Sequence, residues 1–282
     1  MISHEHIPTD NELASYYATQ YRQNYHGTAA PAPHRVLRAW QGGEWLLKRL
    51  LPHIQPGGRV CEIGAGLGCT VKLLELAGFD ADGIEPGESF HTYARECIRA
   101  RITRSALDEM PLEPHYDFIL LVHVIEHFNT PSRALSRIAQ MLRPGGRLYV
   151  ECPNVAAPHA APGRQFHFAH IYNFTLATLR CLAQTNGFEV VATLADAKQP
   201  NLRLLLERTN AAKLVALPCY ITALRNWQSQ TSWRYYARID YLKQRLHREL
   251  RFASQHIAPQ WRVAQIVDRL AAQEPRSAAV PA

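Results

Sequence analysis

The stretch Glu62-Ile63-Gly64-Ala65-Gly66-Leu67-Gly68 joins a short apolar run, Arg59 to Ile63, to Cys69–Ala77, where apolar residues fall at helical intervals. Strand, glycine turn and helix in that order bring free N–H groups and the positive end of a helix dipole to one point. Glycines suit such a turn because the chain bends tightly and a ligand can approach with no Cβ in the way. The spacing discriminates among ligands. A dinucleotide fingerprint reads Gly-x-Gly-x-x-Gly, whereas here the third glycine arrives one residue early and Cys69 stands where that motif needs glycine. A glycine turn used for packing alone is the plainer alternative. Glu85 counts against it. This residue ends Asp82-Gly83-Ile84-Glu85, 21 residues after Gly64, where a carboxylate can accept hydrogen bonds from both hydroxyls of a ribose. Its simpler role, a charge at a helix N-terminus, is compatible with that one.

Outward from the loop, short apolar runs alternate with helical patterns. Phe79–Ile84 is strand-like and Glu88–Ala100 helical. Phe118–Val122 is almost continuously apolar, as a parallel strand buried on both faces requires. A helix over 131–142 stops at Arg143-Pro144-Gly145-Gly146, and Arg147–Cys152 reads as the next strand. Phe174–Thr185 is helical, and Phe188–Leu194 with Leu202–Glu207 reads as a closing antiparallel pair. The alternation predicts an α/β fold with a mostly parallel sheet covered on both faces. Ahead of it, Tyr16, Tyr17, Tyr21 and Tyr25 suggest a helical arm, Thr28 to Pro33 a linker, and Arg35–Leu51 an amphipathic helix ended by Pro52. The expected organisation is an arm and linker over 1–34, a domain over 35–208 and a helical extension over 209–282.

Six ordered segments carry a resemblance: Glu62–Gly68, Gly83-Ile84-Glu85-Pro86, Asp108-Glu109-Met110-Pro111, Tyr116–Val122, Val124-Ile125-Glu126-His127 and Leu142–Gly146. Together they resemble the successive motifs of class I S-adenosylmethionine-dependent methyltransferases, in particular the ubiquinone-O-methyltransferase-like group, over about residues 55 to 195. The resemblance implies a Rossmann-like, seven-stranded, mostly parallel sheet with a terminal antiparallel hairpin. It places S-adenosyl-L-methionine across the carboxyl ends of the first strands. Carried over, it implies that the backbone of Gly64, Ala65, Gly66 and Gly68 borders the amino-acid part of the cofactor. Glu62 would approach the ammonium group, Glu85 would hold the ribose, and His123 is counted among the cofactor contacts. Family members often carry an acidic residue where this chain has Ala106, so backbone at Ala106 and Leu107 is expected to serve the adenine.

His123, Glu126 and His127 stand at i, i+3 and i+4, on one face if that segment is helical. After a proline-bearing loop, Pro153–Gly163, come His167 and His170. Imidazole and carboxylate are suitable ligands for a divalent metal. The small-RNA 3′-end methyltransferases, which use Glu-x-x-Glu-His and a later His for that purpose, are similar here except that His123 replaces the first Glu. No metal is assigned on that incomplete match. The preferred reading is metal-free, with His127 and His170 as candidate catalytic bases, because a hydroxyl acceptor must lose a proton and imidazole titrates near neutral pH. Histidines that only satisfy local hydrogen bonds are the third reading.

Of 282 residues, 47% are hydrophobic and 20% charged, which excludes wholesale disorder. The longest nearly apolar run, Leu214–Leu224, is too short to span a bilayer, and no export-signal pattern opens the chain. Six cysteines without a Cys-x-x-Cys pair suit a reducing cytoplasm. The net charge of +7 is concentrated late. Arg225, Arg234, Arg238, Lys243, Arg245, Arg248 and Arg251 face only Asp240 and Glu249, interleaved with Trp227, Trp233, Tyr235, Tyr236 and Tyr241. The plainer reading is a helix that packs on the core or pairs two subunits while exposing a basic side. A membrane face or nucleic acid is the other. The function expected is O-methylation of a small-molecule or carbohydrate-type acceptor. RNA methylation through the basic tail, or a non-catalytic scaffold that keeps the fold, stands as the alternative.

Overall fold

A computed structural model of the chain describes residues 1–16, 31–157, 166, 169–195, 199–209, 233, 236 and 239–273. The expected helix through Tyr17, Tyr21 and Tyr25, the loop at 158–165, His167, Cys219, Trp227 and Tyr235 lie outside the described residues.

Strand β1 (Ile2–Ser3) pairs antiparallel with β7 (Tyr172–Asn173) in a ribbon of its own. Helix α1 (Asp10–Ser15) follows it, opened by a capping box in which Thr9 and Glu12 satisfy each other's backbone N–H groups. Helix α2 (Pro33–Leu50) starts with proline in its first turn, where no N–H is needed, and buries Val36, Leu37, Leu46 and Leu50. The main sheet contains β2 (Arg59–Ile63), β3 (Asp80–Ile84), β4 (Ile102–Thr103), β5 (Tyr116–Val122), β6 (Leu142–Pro153), β8 (Phe188–Thr193) and β9 (Asn201–Arg208). Their order is β4-β3-β2-β5-β6-β9-β8. The first five run parallel, while β9 pairs antiparallel with both β6 and β8. This is the seven-stranded, mostly parallel sheet with a closing hairpin that the sequence pattern and the resemblance predicted.

Two apolar layers cover the sheet. On one face Val60, Ala81, Phe118, Leu120 and Tyr149 meet α2 and helix α3 (Cys69–Leu76). On the other, Ile63, Ile119, Leu121, Leu148 and Leu204 meet α5 (Pro131–Met141) and α6 (Leu176–Thr185). Strand β5 is buried along almost its whole length, which is why its sequence lacks alternation. Two expectations change. The helix expected over 88–100 is α4 (Glu88–Tyr93), which opens into a π-turn at Ala94–Ile98 and stops at Arg99 with φ +57°. The Arg143–Gly146 turn is a bulge within β6: Leu142 pairs with Tyr116 and Arg147 with Phe118, so four residues loop out opposite one. Beyond β9, α7 (Ile239–His256) and α8 (Pro259–Gln273) are helical as expected. Val263, Ile266 and Leu270 of α8 join the layer over α2.

Candidate active site at the carboxyl ends of the parallel strands

Parallel strands deliver their following loops to one edge, so the segments after β2, β3, β4 and β5 meet there. They wall a cavity of about 520 Å³ lined by Gly64, Gly66, Glu85, Ala106, Leu107, His123 and His127, among others. Of the expected cofactor residues, Glu62, Ala65 and Gly68 are not among those that line it.

Gly64 and Gly66 hold φ of +72° and +55°. A Cβ on Gly64 would stand 2.6 Å from Val124 Cγ2, whereas a Cβ on Gly66 would meet nothing within 4 Å and project into open space. The loop is thus cleared for a ligand on one side and packed on the other. Glu85 fixes it: its carboxylate accepts from Gly66 N at 3.0 Å and from Gly87 N at 2.9 Å, with the side chain buried. Each of those oxygens retains acceptor capacity for a hydroxyl. Glu62 is buried, and its Oε2 has no hydrogen-bond partner. Burial raises its pKa to about 8; the Thr70 hydrogen bond opposes that rise and the nearby Glu85 charge adds to it. A cation beside Glu62 would supply what that oxygen lacks.

The adenine-side residues form a short 3₁₀ turn, Leu107–Glu109, pinned by Glu109, whose carboxylate accepts Ala106 N at 2.8 Å. Arg137 donates to the carbonyls of Leu107, Asp108 and Met110, so this wall is held from behind by α5.

Past β5 the helical-face expectation fails. Only Ile125–His127 forms a 3₁₀ turn, and His123 lies ahead of it at φ +56°, with its N–H donated to Glu151 O at 2.8 Å. The His123 ring stands 3.4 Å from Glu126 Oε1, 3.3 Å from Asn201 Nδ2 and 3.9 Å from Glu151. Desolvation would lower its pKa, but the hydrogen bond and charge of Glu126, with the charge of Glu151, outweigh that and raise it. His123 therefore leans towards a buried network in which Glu151 also takes Tyr149, Asn201 and Arg203.

Glu126, His127 and His170 do converge, with one ligand-capable atom from each lying within 4.8 Å of the others. The His127 and His170 rings meet edge to face at 5.0 Å. His127 Nδ1 lies 2.7 Å from Ala169 O, and a carbonyl can only accept. Nδ1 must carry the proton, which puts the lone pair of the neutral ring on Nε2. Glu126 is 1% exposed; its Oε1 lies 3.4 Å from His123 Nδ1, and its Oε2 has no hydrogen bond. Desolvation pushes its pKa up, yet contact with His123 and the charges of His127 and His170 leave it lowered, so it is ionised at neutral pH. This trio can relay a proton, and it is also a donor set that can hold a divalent cation.

One wall was not anticipated. Asp10, Asn11 and Leu13 of α1 line the cavity opposite the strand ends. Asp10 is held by Asn129 and Arg133, and Arg133 also pairs with Asp108 at 2.6 Å. The Thr9-x-x-Glu12 capping signature was readable; its destination was not.

A family profile described as a methyltransferase domain matches residues 34–193. A probable S-adenosylmethionine-dependent methyltransferase of Mycolicibacterium smegmatis is 31% identical over 51% of this chain and 57% of its own. The ubiquinone biosynthesis O-methyltransferase of Marinobacter nauticus is 25% identical over 35% of this chain and 45% of its own. The chain spans about half the length of the curated relatives it matches. In fold it is similar to the Burkholderia thailandensis 1,6-didemethyltoxoflavin-N1-methyltransferase solved with its substrate and S-adenosylhomocysteine. The TM-score is 0.54 at 18% identity, covering 73% of this chain and 93% of that one. Among the described residues, no helix is long and apolar enough to cross a membrane.

Proposed function

The chain belongs to the methyltransferase-domain family, and from that premise we propose that it moves a methyl group from S-adenosylmethionine to a hydroxyl of a small-molecule or carbohydrate-type acceptor. One observation carries the reading: a cleared glycine loop and an imidazole of fixed tautomer line the same cavity. The residues present fit the cofactor. Glu62 offers an unsatisfied buried oxygen to an ammonium group, Glu85 offers acceptors to ribose hydroxyls, and Gly66 leaves room for both.

When bound, S-adenosylmethionine supplies an electrophilic methyl on a sulfonium. The chain supplies position and a proton acceptor. His127 Nε2 takes the acceptor hydroxyl's proton as the oxygen becomes nucleophilic, while Ala169 O holds the ring through Nδ1. The ionised Glu126 behind it steadies the imidazolium that results, and His170 packs edge-on against the same ring to pass the proton outward. Asp10, Asn11 and Leu13 of α1 add a wall to the same cavity and narrow the access of water to the transfer.

A second reading has its own observation. Glu126 holds a buried Oε2 without a hydrogen bond inside a set of three ligand-capable side chains, which favours a divalent cation that would acidify the hydroxyl directly. A chelator separates the two: full activity in chelator keeps the base, and loss restored by one metal replaces it. Calorimetry with S-adenosylmethionine, S-adenosylhomocysteine and NAD tests the cofactor; binding of neither sulfur nucleoside overturns the proposal. A radiolabelled-methyl screen over sugars, phenols, lipids and RNA tests the acceptor, and label found only in RNA replaces the small-molecule class.

A further inference from the structure

Among the described residues, the tail helix α7 carries an apolar face that is exposed. Leu242, Leu246 and Leu250 stand at i, i+4 and i+8 and are 62%, 62% and 60% exposed. Ala253 continues the stripe and Ile257 extends it past the helix end, 68% exposed. Trp261, in the first turn of α8, is 63% exposed beside that corner. Elsewhere around the helix Lys243, Arg245, Arg248 and Arg251 are exposed, and Glu249 is the acid beside the stripe.

The stripe is not a helix awaiting its place on the core, because the tail is already docked by other residues. Gln255 is buried, accepts from Arg38 Nε at 3.1 Å and donates to Gln41 Oε1 at 3.2 Å, both on α2. His256 stacks on His34 at 4.4 Å, and α8 buries Val263, Ile266 and Leu270 over α2. These contacts hold the carboxyl end of α7 and leave its leucines facing away.

We propose that α7 is a docking surface for an anionic lipid bilayer, lying in the plane of the headgroups. This inference does not depend on methyl transfer. A row of leucines below a polar face that carries Lys243, Arg245, Arg248 and Arg251 matches a surface that is apolar below and negative above. Trp261 suits the headgroup level, where an indole buries its ring and keeps its N–H wet. A second copy of the chain is a poorer occupant, since pairing the stripes would crowd two sets of four bases against only two acids each. RNA is a poorer occupant too, because successive bases need a series of aromatic platforms and the stripe itself is aliphatic, with Trp261 at its corner.

The test is co-sedimentation of the full chain with vesicles of pure phosphatidylcholine and of equimolar phosphatidylcholine and phosphatidylglycerol. Binding to the anionic vesicles alone, weakened by salt, is expected. Replacing Lys243→Gln and Arg245→Gln, the bases nearest the stripe, together lowers the partition coefficient by about fivefold per base. Replacing Leu246→Ser and Leu250→Ser lowers it by at least about tenfold. These side chains are exposed, so far-UV dichroism and melting stay unchanged and keep the comparison interpretable. Several results overturn the proposal: no pelleting with either vesicle, pelleting unchanged in both variants, RNA capture without vesicle binding, or a leucine-dependent dimer without vesicle binding.

Discussion

The Glu85 carboxylate receives the Gly66 N–H at 3.0 Å, so the acidic end of β3 clamps the glycine loop that follows β2. Its other oxygen receives Gly87 N, so one side chain sets the loop and the start of α4 together. In Glu85→Ala both bonds and the proposed ribose acceptor go at once. Each hydrogen bond to a charged group is worth about 1.5–3 kcal/mol, so S-adenosylhomocysteine affinity falls by at least about tenfold in calorimetry. Unchanged affinity would place the ribose elsewhere.

His127→Asn keeps a donor towards Ala169 O and removes the Nε2 lone pair. Loss of a positioned base costs about 10² to 10⁴ in rate. The expectation is a fall in kcat of that order with cofactor affinity retained. A variant that keeps its kcat rules His127 out as the base.

Glu62 gives a pH signature. Its folded pKa, raised to about 8 by burial, lies above the ordinary 4.5, so the folded chain holds a proton that the unfolded chain has lost between those values. Its contribution is present in full below pH 4.5 and is lost as pH rises towards 8, at about 1.4 kcal/mol per pH unit. Parallel melts of the parent and Glu62→Gln should show the parent's relative stability declining across that window. Curves that stay parallel would mean Glu62 is ionised throughout. If an ammonium group binds there, cofactor binding near neutral pH also releases a proton, visible as buffer-dependent heat.

Asp10 tests the wall formed by α1. Its carboxylate sits low in pKa through Asn129 and then Arg133, but the pair is exposed, so the stability at stake is within about 1 kcal/mol. Asp10→Ala should leave melting nearly unchanged, speed amide exchange across residues 1–13 and raise the cofactor dissociation rate. Unaltered exchange there would show that the β1–β7 pairing alone holds the arm.

Gly64→Ala meets two penalties, a left-handed backbone of about 1–2 kcal/mol and contact with Val124. Val124→Ala in the same chain relieves the second and should restore part of the lost melting temperature; no restoration would assign the whole cost to the backbone.

What was legible in the sequence was local. The loop at 62–68, Glu85 and the buried run of β5 announce themselves through glycine spacing and apolar content, and each occupies its expected place relative to the sheet. Strand β4 escaped notice because two residues carry no period. The shared helical face of His123, Glu126 and His127 failed because His123 adopts a left-handed backbone, which the Glu151 carbonyl and the buried network around it help to fix. Asp10 belongs to the cavity through Arg133, 123 positions away. No window on the sequence contains both.

The ribbon of β1 and β7 shares no strand with the main sheet, and it divides the protein into two engineering units. The loops after β2, β3 and β4 are set by the register of parallel strands and are inherited with the fold. The opposite side of the cavity is lined by α1, which is anchored by the four paired residues of that ribbon and a few polar contacts. That side can be recut, lengthened or exchanged without disturbing the register of any core strand. A change of acceptor is therefore an edit of the rim, and libraries aimed at it belong in residues 10–13.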